Sequence, residues 1–320
     1  MSRYRPWDEL DRGLVHALRI DARAPFTRVA AVLGTSTQTV ARRYARLRND
    51  SGLRIAGLLY PQGEPWVIRL TAGDAAADVG QALAKRADTS WVRLASGGTE
   101  VVAVVHMTPP DLLLRDIPRT AGITAISAHY LLRMYLGGPS AWRGSSRVLT
   151  DDQERQLQPP PVDRKPVVLG DADRRLLDVL LEDGRTSYGE LAVATGWSAA
   201  TVAKRLAELR TSGALFFDVQ VEADEVATGQ ALIWLSVQPA ELDNVARAIA
   251  DHDESTVVAA TTGRTNLLVN VRCPTPERLH AYLTGRLAFD AIAAAETSPG
   301  WEDLKAAGPV RLRTPASVDK

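Results

Sequence analysis

The amino-acid sequence predicts an α+β protein of two tandem units, each a three-helix motif followed by a small domain of order βαββαβ. Two observations carry this. The stretch LDRGLVHALRIDARAPFTRVAAVLGTSTQTVARRYARLR, from Leu10 to Arg48, recurs without a gap 162 residues later as ADRRLLDVLLEDGRTSYGELAVATGWSAATVAKRLAELR, from Ala172 to Arg210. Behind each copy, apolar runs of strand character alternate with helical stretches in the same order. At 320 residues the chain also exceeds the usual size of one hydrophobic core, so several domains are expected.

In the first copy the apolar residues fall at helical spacing: Leu10, Leu14 and Leu18, then Val29 with Val32 or Leu33, then Val40, Tyr44 and Leu47. Three short helices around one core follow. Ser187 with Glu190 three residues on forms a capping box for the middle helix of the second copy. Gly34 and Gly196 end the middle helices, and Ser36 and Ser198 cap the third. A glycine-containing tight turn between two helices is the signature of a helix-turn-helix, whose last helix enters the DNA major groove.

With Val40, Tyr44 and Leu47 turned inward, the outer face of the first recognition helix displays Thr37, Gln38, Thr39, Arg42, Arg43 and Arg46. Glutamine can pair bidentately with adenine, and arginine with guanine or phosphate. The second helix offers Ala199, Ala200, Thr201, Lys204, Arg205 and Glu208. The candidate DNA-binding residues are therefore Ser36, Thr37, Gln38, Thr39, Arg42, Arg43 and Arg46, with Ser198, Thr201, Lys204 and Arg205. Charge separates the copies. Nine arginines against three aspartates between Leu10 and Ile55 leave a net +6, whereas Ala172 to Val219 sums to −1, so the second copy is expected to bind DNA more weakly.

After the first copy, WVIRLT, WVRLA, EVVAVVHM and ITAISAHYLL read as strands, with helices over Asp74 to Arg86 and Pro110 to Ile117. After the second, ALIWLSVQ, VVAATT, NLLVNVRC and AIAAAET are strands, with helices over Ala240 to Asp251 and Pro276 to Leu287. The fold class is thus two winged-type helix-turn-helix domains, each followed by a ferredoxin-like βαββαβ domain. The expected boundaries are 1–55 and 56–136 for the first unit, a linker over 137–168 that is semi-rigid at Pro159, Pro160 and Pro161, then 169–219 and 220–310. Loops between the second and third strands align as Gly97-Gly98-Thr99-Glu100 beside Gly263-Arg264-Thr265-Asn266 and are the candidate effector-binding residues.

Composition narrows the function. No apolar run approaches the roughly 18 residues that span a bilayer, and MSRYRPWDEL lacks a signal-peptide core, so a cytoplasmic protein with no membrane partner is expected. Cys273 is the single cysteine and His106, His129, His252 and His280 are scattered, which gives no metal-ligand pattern. Neither a phosphate-binding glycine loop nor a nucleophile elbow occurs. No cofactor, no metal and no catalysis are expected.

Leu10-Asp11-Arg12, Asp21-Ala22-Arg23, Gly34-Thr35-Ser36 and Arg42-Arg43, with Asp183-Gly184-Arg185, Gly196-Trp197-Ser198 and Lys204-Arg205, resemble the leucine-responsive/asparagine-regulator (Lrp/AsnC) family over nearly the whole chain except the linker. The resemblance implies a sequence-specific DNA-binding transcriptional regulator acting on double-stranded promoter DNA. It also implies a homo-oligomer, dimer or higher, paired through βαββαβ sheets, with a small effector such as an amino acid near those interfaces. Two departures stand out: two units lie in one chain, and the family's Gly-x-x-Asp loop step is absent. Two alternatives stay open. The same two-unit architecture resembles sirohaem decarboxylases, although LLYPQGEPWVIRL has no histidine where those enzymes carry one; a non-specific architectural DNA-binding protein is the other.

Overall fold

Asp8 starts the first helix: its carboxylate accepts from the amide of Asp11 at 3.0 Å while Asp11 accepts from the amide of Asp8 at 3.2 Å. The computed structural model that shows this describes residues 7–60, 64–86, 88–107, 112–137, 148–163, 165, 167–220 and 229–306. Along the chain run α1 (Glu9–Ile20), α2 (Phe26–Val32), α3 (Thr37–Asp50), β1 (Arg54–Leu59), β2 (Glu64–Thr71), α4 (Ala76–Ala84), β3 (Thr89–Ala95), β4 (Glu100–Met107) and β5 (Ala125–Leu136). There follow α5 (Asp151–Leu157), α6 (Asp171–Glu182), α7 (Tyr188–Thr195), α8 (Ala199–Thr211), β6 (Leu215–Gln220), β7 (Gly229–Val237), α9 (Leu242–Ala250), β8 (Ser255–Thr261), β9 (Leu267–Cys273), α10 (Pro276–Ala281) and β10 (Ile292–Ala306). Among the described residues no helix is long and apolar enough to cross a membrane.

The chain divides into two units, Met1–Tyr60 with Gly137–Ala227, and Pro61–Leu136 with Thr228–Lys320. The first holds both helix-turn-helix domains. Leu14, Leu18, Val29, Val40 and Leu47 close the core of one, and Leu176, Leu180, Leu191, Val202, Leu206 and Leu209 that of the other. The stretch expected as linker contributes more than spacing. Thr150 and Gln153 cap α5 reciprocally, Leu149 and Leu157 are buried in the first core, and the Gln153 amide donates to the carbonyl of Val32 at 2.8 Å. So α5 packs as a fourth helix of the first domain.

The two domains clasp each other through equivalent residues. Arg23 donates to the carbonyls of Gly184 and Thr186 at 2.6 and 3.0 Å, and Arg185 donates to those of Ala22 and Ala24 at 2.5 and 3.0 Å. Asp183 pairs with Arg48 at 3.0 Å, and Asp21 with Arg210 at 2.7 Å. Such reciprocity is the mark of two-fold symmetry. The strands repeat it, because β1 and β6 pair antiparallel with each other, and Ala56 faces Asp218, its own counterpart at the 162-residue offset. The wing strand of each domain therefore finds its partner in the other domain.

In the second unit each half orders its strands as in a ferredoxin-like sheet: β3-β4-β2-β5 and β8-β9-β7-β10. Each half's last strand stays in its own sheet and runs on past it to the edge of the other. β5 pairs with β8 and β10 with β3, which closes an eight-stranded barrel. This crossing explains why β10 runs to Ala306 although apolar alternation predicts a strand over 291–297 only. The helix expected over 110–117 is different too: Leu112–Asp116 form one wide π turn and Ile117–Arg119 a 3-10 turn, while 110 and 111 lie outside the described residues.

Outward-facing apolar residues of each sheet pack under that half's own helices, as Ile68, Leu70 and Val101 do with Val79 and Leu83. Inward-facing Val67, Val102, Leu232, Trp234 and Leu268 make a separate core inside the barrel. Through it runs Arg93, only 2% exposed, which forks onto Asp303 at 2.6 and 2.8 Å and donates to Asn270 at 2.7 Å. Strand β3 of one half is thereby tied to β9 and β10 of the other. Arg69 does likewise, joining Glu100 at 2.8 Å to Glu296 at 2.7 Å.

Candidate nucleic-acid interface

The turn before each recognition helix is built alike. Gly34 at φ +64° and Gly196 at φ +77° hold the left-handed backbone that strains other residues, and an added Cβ would meet nothing within 4 Å at either, so the requirement is conformational. The hydroxyl of Ser36 accepts from the amide of Thr39 and that of Ser198 from the amide of Thr201, both at 3.1 Å. Thr39 and Thr201 hydroxyls also lie 2.9 and 2.8 Å from their capping serines. These four hydroxyls shape the helix start.

Val40, Tyr44 and Leu47 are buried, as are Val202, Leu206 and Leu209, which leaves the first turns facing outward. Thr37, Gln38 and Arg42 are exposed, and so are Ala199, Ala200, Thr201 and Lys204. No ion-pair partner for Arg42 or Lys204 occurs among the described residues. Both sit one turn beyond the exposed N-terminal residues, where basic groups meet phosphates.

Arg43 and Arg205, expected on the DNA face, are committed elsewhere. Arg43 donates to Asp8 at 2.6 Å and Asp11 at 3.2 Å, and Arg46 pairs with Asp11 as well. Arg205 forks onto Asp173 at 2.7 and 2.9 Å and donates to the carbonyl of Val168 at 2.9 Å. The physical reason is the buried carboxylate, 1% exposed at Asp11 and 5% at Asp173, which needs a cation beside it. The recognition helices are thus bolted to α1 and α6. Sequence reasoning also left out Arg23, Arg48, Arg185 and Arg210, which fix the pair of domains; their recurrence in both copies was the available signal.

The Arg205 guanidinium, aided by the Gly170 amide, holds the Asp173 carboxyl below the usual carboxylate range although burial opposes it. A carboxylate with a depressed folded-state pKa stabilises the fold above its unfolded pKa and loses that contribution as pH falls through the folded value. Asp173→Asn is therefore expected to cost the second domain about 2 kcal/mol at pH 7, with the deficit vanishing once the pH is well below the normal aspartate pKa of roughly 4. Urea unfolding at both ends of that range checks it, and an equal deficit at both would remove the ion pair as the cause.

The candidate effector loops each lie against the other half's last strand. Ser96, Gly97 and Gly98 all have positive φ, and Glu100, 9% exposed, accepts from Arg69 at 2.8 Å and from the Ser96 hydroxyl at 2.6 Å. Thr99 donates to the Ser96 carbonyl at 2.8 Å. On the other loop, Gly263 at φ +111° presses on the ring of His129, whose Nδ1 donates to the Thr262 carbonyl at 2.7 Å. Asn266 clasps the backbone of Val237 through both amide atoms, at 2.8 and 2.9 Å, and the Thr265 carbonyl accepts from Thr261 at 3.3 Å. Glu100 and Asn266 are so engaged internally, while Gly97, Gly263 and Arg264 remain at the surface.

Comparison with known proteins agrees with this geometry. The AsnC-type helix-turn-helix domain matches residues 8–48 and 169–210, and the Lrp/AsnC ligand binding domain matches 230–310. An uncharacterized HTH-type transcriptional regulator of Pyrococcus horikoshii is 28% identical over 135 residues, 42% of this chain and 91% of its own length. Regulatory protein AsnC of Haemophilus influenzae is 29% identical over 130 residues, 39% of this chain and 86% of its own. Each relative is matched over less than half of this chain. Among solved structures, the siroheme decarboxylase NirDL superposes on 95% of this chain and 94% of its own with a TM-score of 0.60 at 14% identity, a likeness of fold alone. With the helix-turn-helix matched twice and a ligand-binding domain behind it, the chain belongs to the Lrp/AsnC family of transcriptional regulators, in a tandem two-unit form.

Proposed function

We propose that this regulator reads double-stranded promoter DNA chiefly with the first turns of α3, where Thr37, Gln38 and Thr39 meet base edges and Arg42 a phosphate, and with Thr201 and Lys204 of α8 as the weaker reader. The observation that carries this is the exposed Gln38 and Arg42 on a capped, bolted helix, side chains that the fold itself does not use. The barrel domains hold the assembly together, and a small effector such as an amino acid binds at the loops 97–100 and 263–266. Assembly beyond one chain uses surfaces other than sheet edges, since every barrel strand is already paired on both sides. The working compartment is the cytoplasm, and the chain regulates rather than catalyses.

Fluorescence anisotropy against DNA from upstream of its own gene and against scrambled DNA, across a salt series, tests the reading. Arg42→Ala is expected to weaken binding to both by about tenfold and to lower the salt slope by about 1. An unchanged slope removes the phosphate contact. Gln38→Ala should instead lose about 5- to 100-fold on the preferred sequence alone, the worth of a bidentate base pair of contacts. Equal losses on all sequences remove the base-reading role. The full-length likeness of fold to NirDL favours one second reading, decarboxylation of a tetrapyrrole; saturable binding of an iron porphyrin together with loss of a carboxyl group, without DNA binding, would favour it over regulation.

A further inference from the structure

The capping serine, the buried aspartate with its arginine and the clasp arginine recur in both copies, and the residues that would read do not. Ser36 and Ser198, Arg43 and Arg205, Asp11 and Asp173, Arg23 and Arg185 are identical pairs with equivalent bonds. On the exposed first turns, however, Thr37 stands where the second copy has Ala199, Gln38 where it has Ala200, and Arg42 where it has Lys204. Among the holding residues, Arg46, paired with Asp11, stands where the second copy has Glu208, and Asp8, paired with Arg43, where it has Gly170. Glutamine offers a donor and an acceptor to adenine, whereas alanine offers only a methyl, which the thymine methyl group rewards. Arginine presents a planar fork and lysine a point charge.

The two readers are also fixed to each other. Reciprocal arginine bonds, two cross-domain ion pairs and a β1–β6 ribbon centred on Ala56 and Asp218 join them within one chain about a pseudo-two-fold axis. Two identical helix-turn-helix domains about such an axis read an inverted repeat with half-sites about 34 Å apart. Two domains with the same frame and different reading side chains read two different half-sites.

We propose that a single copy of this chain occupies a complete operator by itself, a duplex whose two half-sites are dissimilar, one read through Gln38 for adenine and the other through Ala199 and Ala200 for thymine. This rests on the DNA-reading function proposed above. It gives the second helix-turn-helix a task of its own, a chemically distinct half-site rather than a fainter version of the first.

The test is selection of duplexes from a randomised library by the full chain, followed by native mass spectrometry of the complex on the enriched duplex. The wild-type chain is expected to enrich two unlike half-sites at one chain per duplex, and replacing either half-site by a copy of the other should lower affinity at least tenfold. The variant A199T/A200Q/K204R changes only exposed positions and is expected to enrich an inverted repeat of the half-site that Gln38 reads. Enrichment of an inverted repeat by the wild-type chain, of a lone half-site, or of complexes with two chains per duplex overturns the proposal while leaving DNA reading intact. Absence of any salt-sensitive binding, even in the anisotropy measurement, overturns the DNA-reading function and this inference with it.

Discussion

Arg93→Ala is expected to lower the stability of the barrel by about 3 kcal/mol, the low end of what removing one member of a buried ion pair costs. The side chain crosses the barrel interior, and its deletion takes two short bonds from Asp303 and one from Asn270. Arg272, 3.5 Å from Asp303, moderates the loss, which is why the low end applies. Removal of the guanidinium also empties the space beside Trp91, whose ring centroid lies 5.2 Å from it. Urea unfolding of the full chain followed by circular dichroism reads the change. A further variant separates charge from volume: Arg93→Met with Asp303→Leu restores apolar packing without an ion pair and should recover most of the deficit. A deficit below about 1 kcal/mol for Arg93→Ala would show that the backbone pairing of β3 with β10, and not this residue, carries the junction.

The second large effect concerns the clasp. Burial pulls the guanidinium pKa of both Arg23 and Arg185 below the ordinary arginine value, yet arginine stays charged across the accessible pH range, so each remains a donor to two carbonyls at all working pH values. Each also lies over aromatic rings, Arg23 at 5.2 Å from Tyr188 and Arg185 at 4.3 Å from Phe26. A charge-assisted bond contributes about 1.5–3 kcal/mol and the two made by one guanidinium are not additive, so counting one interaction per arginine, Arg23→Ala with Arg185→Ala should loosen the pair by about 4 kcal/mol. Because the two domains have separate cores, they should survive the change. DNA affinity for a full site is then expected to fall about 10- to 100-fold, as fixed geometry is replaced by tethering, while affinity for a single half-site holds. Unchanged affinity for the full site would mean that the clasp does not set the spacing of the readers.

Much of this architecture is legible in the residues because the chain repeats. The gapless match places both helix-turn-helix motifs, and apolar runs place the eight barrel strands in the order found, with β5 and β10 cut short where each runs on to the other half. What periodicity does not encode is the choice of distant partners. Nothing in RIAGLL says that it pairs with LFFDVQ, or that the last strand of one half completes the sheet of the other. Helix α5 went unseen for a different reason: seven residues are too few for a periodic signal, although the Thr150 to Gln153 cap was there to be read. For the site, net charge drew attention to the arginines of α3 as a group. Only the structure sorts them, since Asp11 takes Arg43 and Arg46 while Arg42 stays exposed. The cue lay in recurrence: Asp11 with Arg43 reappears as Asp173 with Arg205 in a copy whose charge has reversed, as a pair kept for folding would.

Closure of the barrel by strands that bridge its halves bears on how the protein is made. Arg93 and Asp303 are 210 residues apart, and the β3 edge is covered only by β10. While the ribosome is still synthesising the second half, the first βαββαβ domain carries two uncovered sheet edges, at β3 and at β5, each able to accept a strand from a neighbouring nascent chain. Contacts of such long range also form slowly. The tandem chain meets this hazard by keeping the correct strand on the same polypeptide, at a local concentration that no second copy matches, so covering of the first half waits on translation rather than on encounter.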